Sequence, residues 1–107
     1  MAWEAAFMKA ALRGNLIDLV VQDGRNLRAE PYMIYRSPRG KLSIYVYEVS
    51  EDPIRGFSPG WRTLEAKAVR SAVRREEIFE PRRDYSPHAK DLFPDVVFAI
   101  PPNVPSD

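Results

Sequence analysis

A mainly β domain with one N-terminal helix is the fold class the sequence predicts. Three observations lead there. Residues 16–22 and 42–49 alternate side-chain character with period two, as strands do. Asp23-Gly24 sits between two strand-like runs and signals a hairpin. Residues 2–12 instead place Trp3, Phe7, Ala10 and Ala11 on one helical face. Both faces of 42–49 carry bulk, which points to a central strand of a small closed or strongly curled sheet.

Each element follows from its residues. The helix over 2–12 is too short to persist alone in water, so its apolar face must dock on the rest of the domain. Gly14-Asn15 ends it, because glycine accepts the left-handed conformation cheaply. In Leu16–Gln22, Ile17, Leu19 and Val21 share one face, with Asp18 and Gln22 opposite. Asp23-Gly24 fits a type I′ turn, which needs positive φ at both central residues. The return strand runs from Leu27 to Arg36. Pro31 lies inside it without an N–H, which places that stretch at an edge or a bulge. Pro38-Arg39-Gly40 turns the chain into Leu42–Val49, where Leu42, Ile44 and Val46 alternate with Ser43, Tyr45 and Tyr47. Residues 50–60, rich in Ser, Asp, Pro and Gly, form a surface loop.

Residues 61–79 carry two signals. Leu64, Ala68 and Ala72 follow helical spacing among helix-tolerant residues, whereas Val69, Ser71 and Val73 alternate as in a strand. Local propensity favours the helix. Pro81–Pro94 is irregular, with Ser86-Pro87 suited to cap one helical turn. Val96–Ile100 is a last strand, stopped by Pro101-Pro102. Residues 1–100 thus form one domain, and 101–107 a loose tail.

Composition removes several functions. The 107 residues contain 16 Lys and Arg against 15 Asp and Glu, a net charge of +1, so no bulk positive field attracts DNA or an anionic membrane. Absence of cysteine removes disulfides, iron–sulfur clusters and thiolate zinc sites, and the single histidine removes a multi-histidine metal site. No cofactor or metal is expected. No apolar run spans a bilayer, and Met1-Ala2-Trp3-Glu4 does not open a secretory signal; a cytoplasmic protein is expected. No phosphate loop and no Gly-x-Gly-x-x-Gly occurs, and His88 lies in a Pro/Ser/Asp-rich loop without a serine elbow, so no enzyme is expected. Glu76, Glu77 and Glu80 lie beside Arg74, Arg75, Arg82 and Arg83 and read as a self-neutralising solvated patch.

Several segments fall in a recognisable order. The helix and strand from Phe7 to Val21 precede Arg28-Ala29-Glu30-Pro31-Tyr32, Gly40 and Ile44-Tyr45-Val46-Tyr47. Pro59-Gly60-Trp61-Arg62, Ile78-Phe79, Pro81-Arg82 and Tyr85-Ser86-Pro87 follow. Over residues 7–100 this order resembles the WYL domain family, in particular its small stand-alone bacterial proteins. The resemblance implies a small SH3/Sm-like β-barrel with one N-terminal α-helix, and two strands over 61–79 in place of the local helix. WYL domains usually follow a winged-helix DNA-binding domain in transcriptional regulators, where they are thought to sense a ligand, in several cases nucleic acid or a nucleotide. The chain also departs from the family. The namesake Trp-Tyr-Leu falls on Ile44-Tyr45-Val46, and two arginines of the family's next strand fall on Glu65 and Ala68. Losing those charge-assisted donors weakens phosphate contact there.

The resemblance implies ligand binding by Tyr45, Arg62 and Arg28: the tyrosine stacks or hydrogen-bonds, and the arginines meet an anionic group. Arg62, Arg70 and Arg74 share parity if 61–79 is extended, and Tyr32, Tyr45, Tyr47 and Trp61 supply rings, an arrangement that suits single-stranded nucleic acid. The leading expectation is a non-catalytic ligand-sensing or nucleic-acid-binding accessory module, its partner a single-stranded nucleic acid or nucleotide. The alternative is a protein-interaction module, monomer or homodimer, that dimerises or docks on a separate regulator through a sheet edge or through Trp3 and Phe7 of the helix.

Overall fold

The period-3.6 stripe becomes a helix, α1 (Trp3–Arg13), with Trp3, Phe7, Ala10 and Ala11 buried. The computed structural model describes residues 3–89 and 91–102, so Ala2 of the expected helix and 103–107 of the expected tail lie outside the described residues. Gly14 follows at φ +70°, donating its N–H to the Ala11 carbonyl at 3.2 Å. The strands are β1 (Asn15–Val21), β2 (Asn26–Arg36), β3 (Leu42–Glu48), β4 (Gly60–Glu65), β5 (Val69–Ile78) and β6 (Asp95–Ala99), with a single 3-10 turn at Ala66–Ala68. They form one antiparallel sheet in the order β4-β3-β2-β1-β5, with β6 also paired to β2. The domain is mainly β with one helix.

Residues 61–79 are therefore two strands and a 3-10 turn, not the helix that local propensity favours. Pairing decides it: β4 lies along β3 from Ser43↔Glu65 to Glu48↔Gly60, and β5 lies along β1. Tertiary pairing outweighs propensities worth a few tenths of a kcal/mol per residue, roughly. Pro31 occupies an interior strand. Its missing N–H is accommodated by a shift of register between Pro31 and Met33, where Tyr32 is the extra residue.

The hairpin at Asp23-Gly24 differs from the expected two-residue turn. No non-glycine residue among those described has positive φ, so Asp23 cannot supply the first half of a type I′ turn. Instead the Gly24 N–H bonds the Val21 carbonyl at 2.9 Å and the Val21 N–H bonds the Arg25 carbonyl at 3.0 Å, with Gly24 at φ +87°. This is a three-residue loop closed by a left-handed glycine. The β2–β3 turn repeats it, with Gly40 bonded to Ser37 and Ser37 to Lys41.

The sheet has two packed faces. On one, α1 sets Trp3, Phe7 and Ala10 against Ile17, Leu19, Leu27, Ile34, Ile44 and Val46. On the other, Tyr32, Met33 and Tyr35 pack with Tyr85, Phe93 and Ile100 from the segment after β5. That segment forms turns where a helical turn at Ser86-Pro87 is expected. Ser86 offers its carbonyl to the Ala89 N–H at 3.3 Å, and the prolines at 81, 87 and 94 interrupt any continuing helix. The bulk on both faces of β3 is thus explained: Ile44 and Val46 meet the helix side, while Tyr45 and Tyr47 meet the aromatic side.

Candidate functional site

The three residues expected to bind ligand occupy different places. Register puts Tyr45 opposite Thr63 and Tyr47 opposite Trp61, on the aromatic face, whereas Arg62 lies opposite Val46 on the helix-side face. Tyr45 and Arg62 are thus on opposite faces of the same strand pair. Arg28 lies opposite Asp18 on β1, two residues before Glu30, which pairs with Tyr47. The structure brings none of the three into contact with another.

Tyr45 stacks on Trp61 with ring centroids 4.7 Å apart and planes 3° from parallel, and meets the Phe93 edge at 5.0 Å. Burial, reinforced by the Asp84 charge, pushes its phenol above the ordinary tyrosine range. The Trp61 Nε1–H donates to Asp84 Oδ2 at 2.9 Å. Beneath this pair, Tyr32 is fully buried and donates to Glu30 Oε1 at 2.7 Å, and the Arg82 backbone N–H donates to its hydroxyl at 3.0 Å. Arg82 grips both Glu30 oxygens at 3.0 Å and lies over the Tyr47 ring, 3.5 Å from its centroid. The group is a packed and hydrogen-bonded aromatic layer, with Tyr45, Tyr47 and Trp61 half-buried at its surface.

Arg62 is engaged at every guanidinium nitrogen. Nε donates to Glu48 Oε1 at 3.1 Å, Nη1 to the Trp61 carbonyl at 2.9 Å and Nη2 to the Ser58 carbonyl at 2.5 Å. Glu48 is the centre of this arrangement. Its side chain is 2% exposed, and it also receives Arg25 Nη2 at 2.7 and 2.6 Å and the Ser50 hydroxyl at 2.8 Å. Arg25 in turn covers the Phe57 ring, 3.8 Å from its centroid. One buried carboxylate therefore ties the β1–β2 turn, β4 and the loop after β3. Reading the sequence gave Glu48 and Glu30 no role and placed Arg82 in a solvated patch. A signal existed for Glu48: it continues the inward series Leu42, Ile44, Val46, and a carboxylate at an inward position needs cationic partners.

Arg28 has the most open surroundings of the three. Its side chain is 41% exposed, and among the described residues its guanidinium makes one hydrogen bond, Nε to Asp18 Oδ1 at 3.0 Å, with Nη1 3.8 Å from Glu77. Arg75 Nη1 meets the other Asp18 oxygen at 2.8 Å and also pairs with Glu77. Burial alone raises the Asp18 carboxyl, but hydrogen bonds from Arg28 and Arg75 outweigh it and hold the group below its usual value. Arg28 borders a cavity of about 510 Å3 with Asp18, Asn26 and Ser50. The Arg28 backbone N–H donates to Ser50 Oγ at 3.2 Å, which connects this cavity to the Glu48 cluster.

The remaining candidates separate likewise. Arg74 reaches Asn15 Oδ1 at 3.3 Å and Arg70 is exposed on β5. Arg74, opposite Ile17, faces the helix side as Arg62 does opposite Val46, but the two stand on β5 and β4, at opposite ends of the strand order. His88 is exposed. Glu77 and Arg75 pair as the solvated-patch reading expects, whereas Arg82 leaves that patch for Glu30. Among the described residues no group of three or more His, Asp or Glu is arranged to hold a metal ion, and no helix is long and apolar enough to cross a membrane. No family model, curated protein or solved structure matches this chain.

Proposed function

We propose that the chain is a non-catalytic binding module, resembling a WYL domain, that senses an anionic ligand, a nucleotide or single-stranded nucleic acid, at the Arg28 cavity. The observation that carries this reading is the contrast between the arginines: Arg62 bonds a protein acceptor from each of its three guanidinium nitrogens, whereas Arg28 bonds from one and opens half-exposed on a 510 Å3 cavity with Asn26 and Ser50. The Arg28 guanidinium and the Asn26 amide at this cavity suit phosphate oxygens and base edges, while Ser50 keeps its hydroxyl proton on Glu48. Asp18 already takes part of the Arg28 charge, so the affinity is modest. The strand path supports the expected SH3/Sm-like barrel, since its two ends, β4 and β5, are joined in sequence by the 3-10 turn.

Anisotropy with a labelled oligonucleotide and a labelled nucleotide, at low and moderate salt, tests the reading. Binding that weakens with salt and falls roughly tenfold in Arg28→Ala is expected. Absence of binding at low salt, or equal binding by Arg28→Ala, overturns it.

A second reading, self-association through a sheet edge, draws on β6. Val96 and Val97 are exposed, as is Leu92 before the strand, and β2 is the one strand β6 pairs with among the described residues. The helix offers no such route, since Trp3 and Phe7 are buried in their own domain. Light scattering coupled to size exclusion separates the outcomes: a salt-insensitive dimer supports this reading, and a monomer at high concentration removes it.

A further inference from the structure

The loop after β3 holds Ile54 out in solvent at 97% exposure, the highest of the exposed large apolar residues described. The turn beneath it is closed by its own hydrogen bonds. Asp52 and Phe57 exchange backbone bonds at 2.9 and 3.0 Å, the Asp52 carbonyl also takes the Arg55 N–H at 3.1 Å, and Gly56 follows at φ +79°. Arg25, over the Phe57 ring and bonded to Glu48, ties the turn to the sheet. Asp52 and Pro53 suffice to start such a turn, and a β-branched residue at the next position adds nothing to it. We propose that Ile54 is a knob that enters an apolar cavity on a second copy of this chain, so that copies associate head to tail.

The receiving cavity, of about 330 Å3, lies where α1 meets the start of β3 and the end of β4, and Trp3, Leu42 and Ala66 form its apolar wall. Its charged lining, Lys41 and Lys67 against Glu4 and Glu65, sums to zero, which suits an uncharged side chain rather than an ion. The volume is at the small end for binding pockets, room for one aliphatic side chain with the Pro53 ring beside it. Knob and cavity stand at opposite ends of one strand pair: the cavity beside Ser43↔Glu65, the loop beyond Glu48↔Gly60. A chain therefore cannot fill its own cavity, and each copy added leaves the next knob or cavity open. The charges around the contact match by sign. Glu51 and Arg55 stand exposed near the tip, and Lys67 and Glu65, an ion pair at 3.4 Å, stand at the cavity border. In the docked pair Glu51 meets Lys67 and Arg55 meets Glu65. One knob buries far less than a standard interface, so the association is weak, with a dissociation constant on the order of 1 mM. Nothing in it depends on Arg28 or on β6, so it stands or falls separately from the sensing role and from pairing through the sheet edge.

Nitrogen-15 spectra of the full-length Ile54→Asp chain test this, because that variant keeps the cavity and loses the knob. Ile54 is almost wholly exposed, so the variant folds as the wild type does. Unlabelled wild-type chain, added to about 1 mM, is expected to shift the labelled variant's Lys41, Leu42, Ala66 and Lys67 amides progressively, while its own residues 53–57 stay in place. Unlabelled Ile54→Asp chain in place of the wild type is expected to weaken those shifts about tenfold, whereas Ile54→Leu, of the same volume, keeps them. Absence of shifts with wild-type chain, equal shifts with either unlabelled chain, or shifts confined to Val96 and Val97 of β6 overturns the proposal.

Discussion

Glu48 holds more of the fold together than its place in the chain suggests. Removing a buried charge's partner is costly because the survivor stays in low dielectric without compensation. Arg25 and Arg62 are both partly exposed and regain water when Glu48 is lost, which moderates the cost. Glu48→Ala is expected to destabilise by about 3 kcal/mol in urea unfolding. Arg62→Ala is expected to lose about 1–2 kcal/mol, because Arg25 and Ser50 remain on the carboxylate. If Arg62→Ala costs as much as Glu48→Ala, the two are not sharing a common centre. The tyrosines give a residue-scale prediction in pH. Burial pushes the phenols of Tyr32, Tyr45 and Tyr85 upward, so their folded values exceed the unfolded value of about 10. Their contribution to stability is fully present below that value and is lost as pH rises from it toward the folded values. Alkaline titration followed by tyrosinate absorbance is therefore expected to show these three phenols ionising only with unfolding. Their reversible ionisation near the ordinary value in the folded protein contradicts the packed aromatic layer.

Elements show which parts of the fold were legible in the sequence and which were not. Alternation placed Ile17, Leu19 and Val21 inward on β1 and Ile44 and Val46 inward on β3, because period two is a property of the backbone itself. The span 61–79 was not legible locally. Leu64, Ala68 and Ala72 obey helical spacing, yet the partners that make β4 and β5 strands lie far back along the chain, on β3 and β1. The site was less legible than the fold: parity put Arg62 beside Arg70 and Arg74, but parity fixes only a face, and Arg62 and Arg74 stand at opposite ends of the strand order, each bonded to its own acceptors. Turn geometry offers the element-scale test. Gly24→Ala is expected to destabilise by about 1–2 kcal/mol, since an L side chain at φ +87° is strained even though open space surrounds the position. Chemical denaturation of the variant measures it; an unchanged midpoint denies the left-handed closure. β6 carries its own safeguards. Phe98 pairs with Ile34 and Val96 with Tyr35, so Val97 is bulged, and Pro94 and Pro101 flank the strand. A bulge and bordering prolines oppose edge-to-edge growth, which limits any self-association through β6 to a closed pair.

At the scale of the whole molecule, two cores share one sheet. The first joins the helix to β1, β2 and β3, and the second is assembled by residues that follow β5. Tyr85 donates its hydroxyl to the Ile100 carbonyl at 2.8 Å, and the Ile100 N–H donates to the Tyr32 carbonyl at 3.1 Å. A chain ending at Pro94 is therefore expected to lose the aromatic near-ultraviolet dichroism and to bind an apolar dye, while keeping β-type far-ultraviolet dichroism. A truncated chain that unfolds at the same temperature as the full one shows that the second core is dispensable. The division of β2 carries one more consequence. Its N-terminal half takes β1 on the same edge whose C-terminal half takes β6, at Met33–Arg36. That edge of the middle strand is thus finished only by β6, far along the chain from it. During synthesis on the ribosome, Tyr35 and its neighbours wait uncovered until β6 emerges, and that interval is when a chaperone has the most to hold.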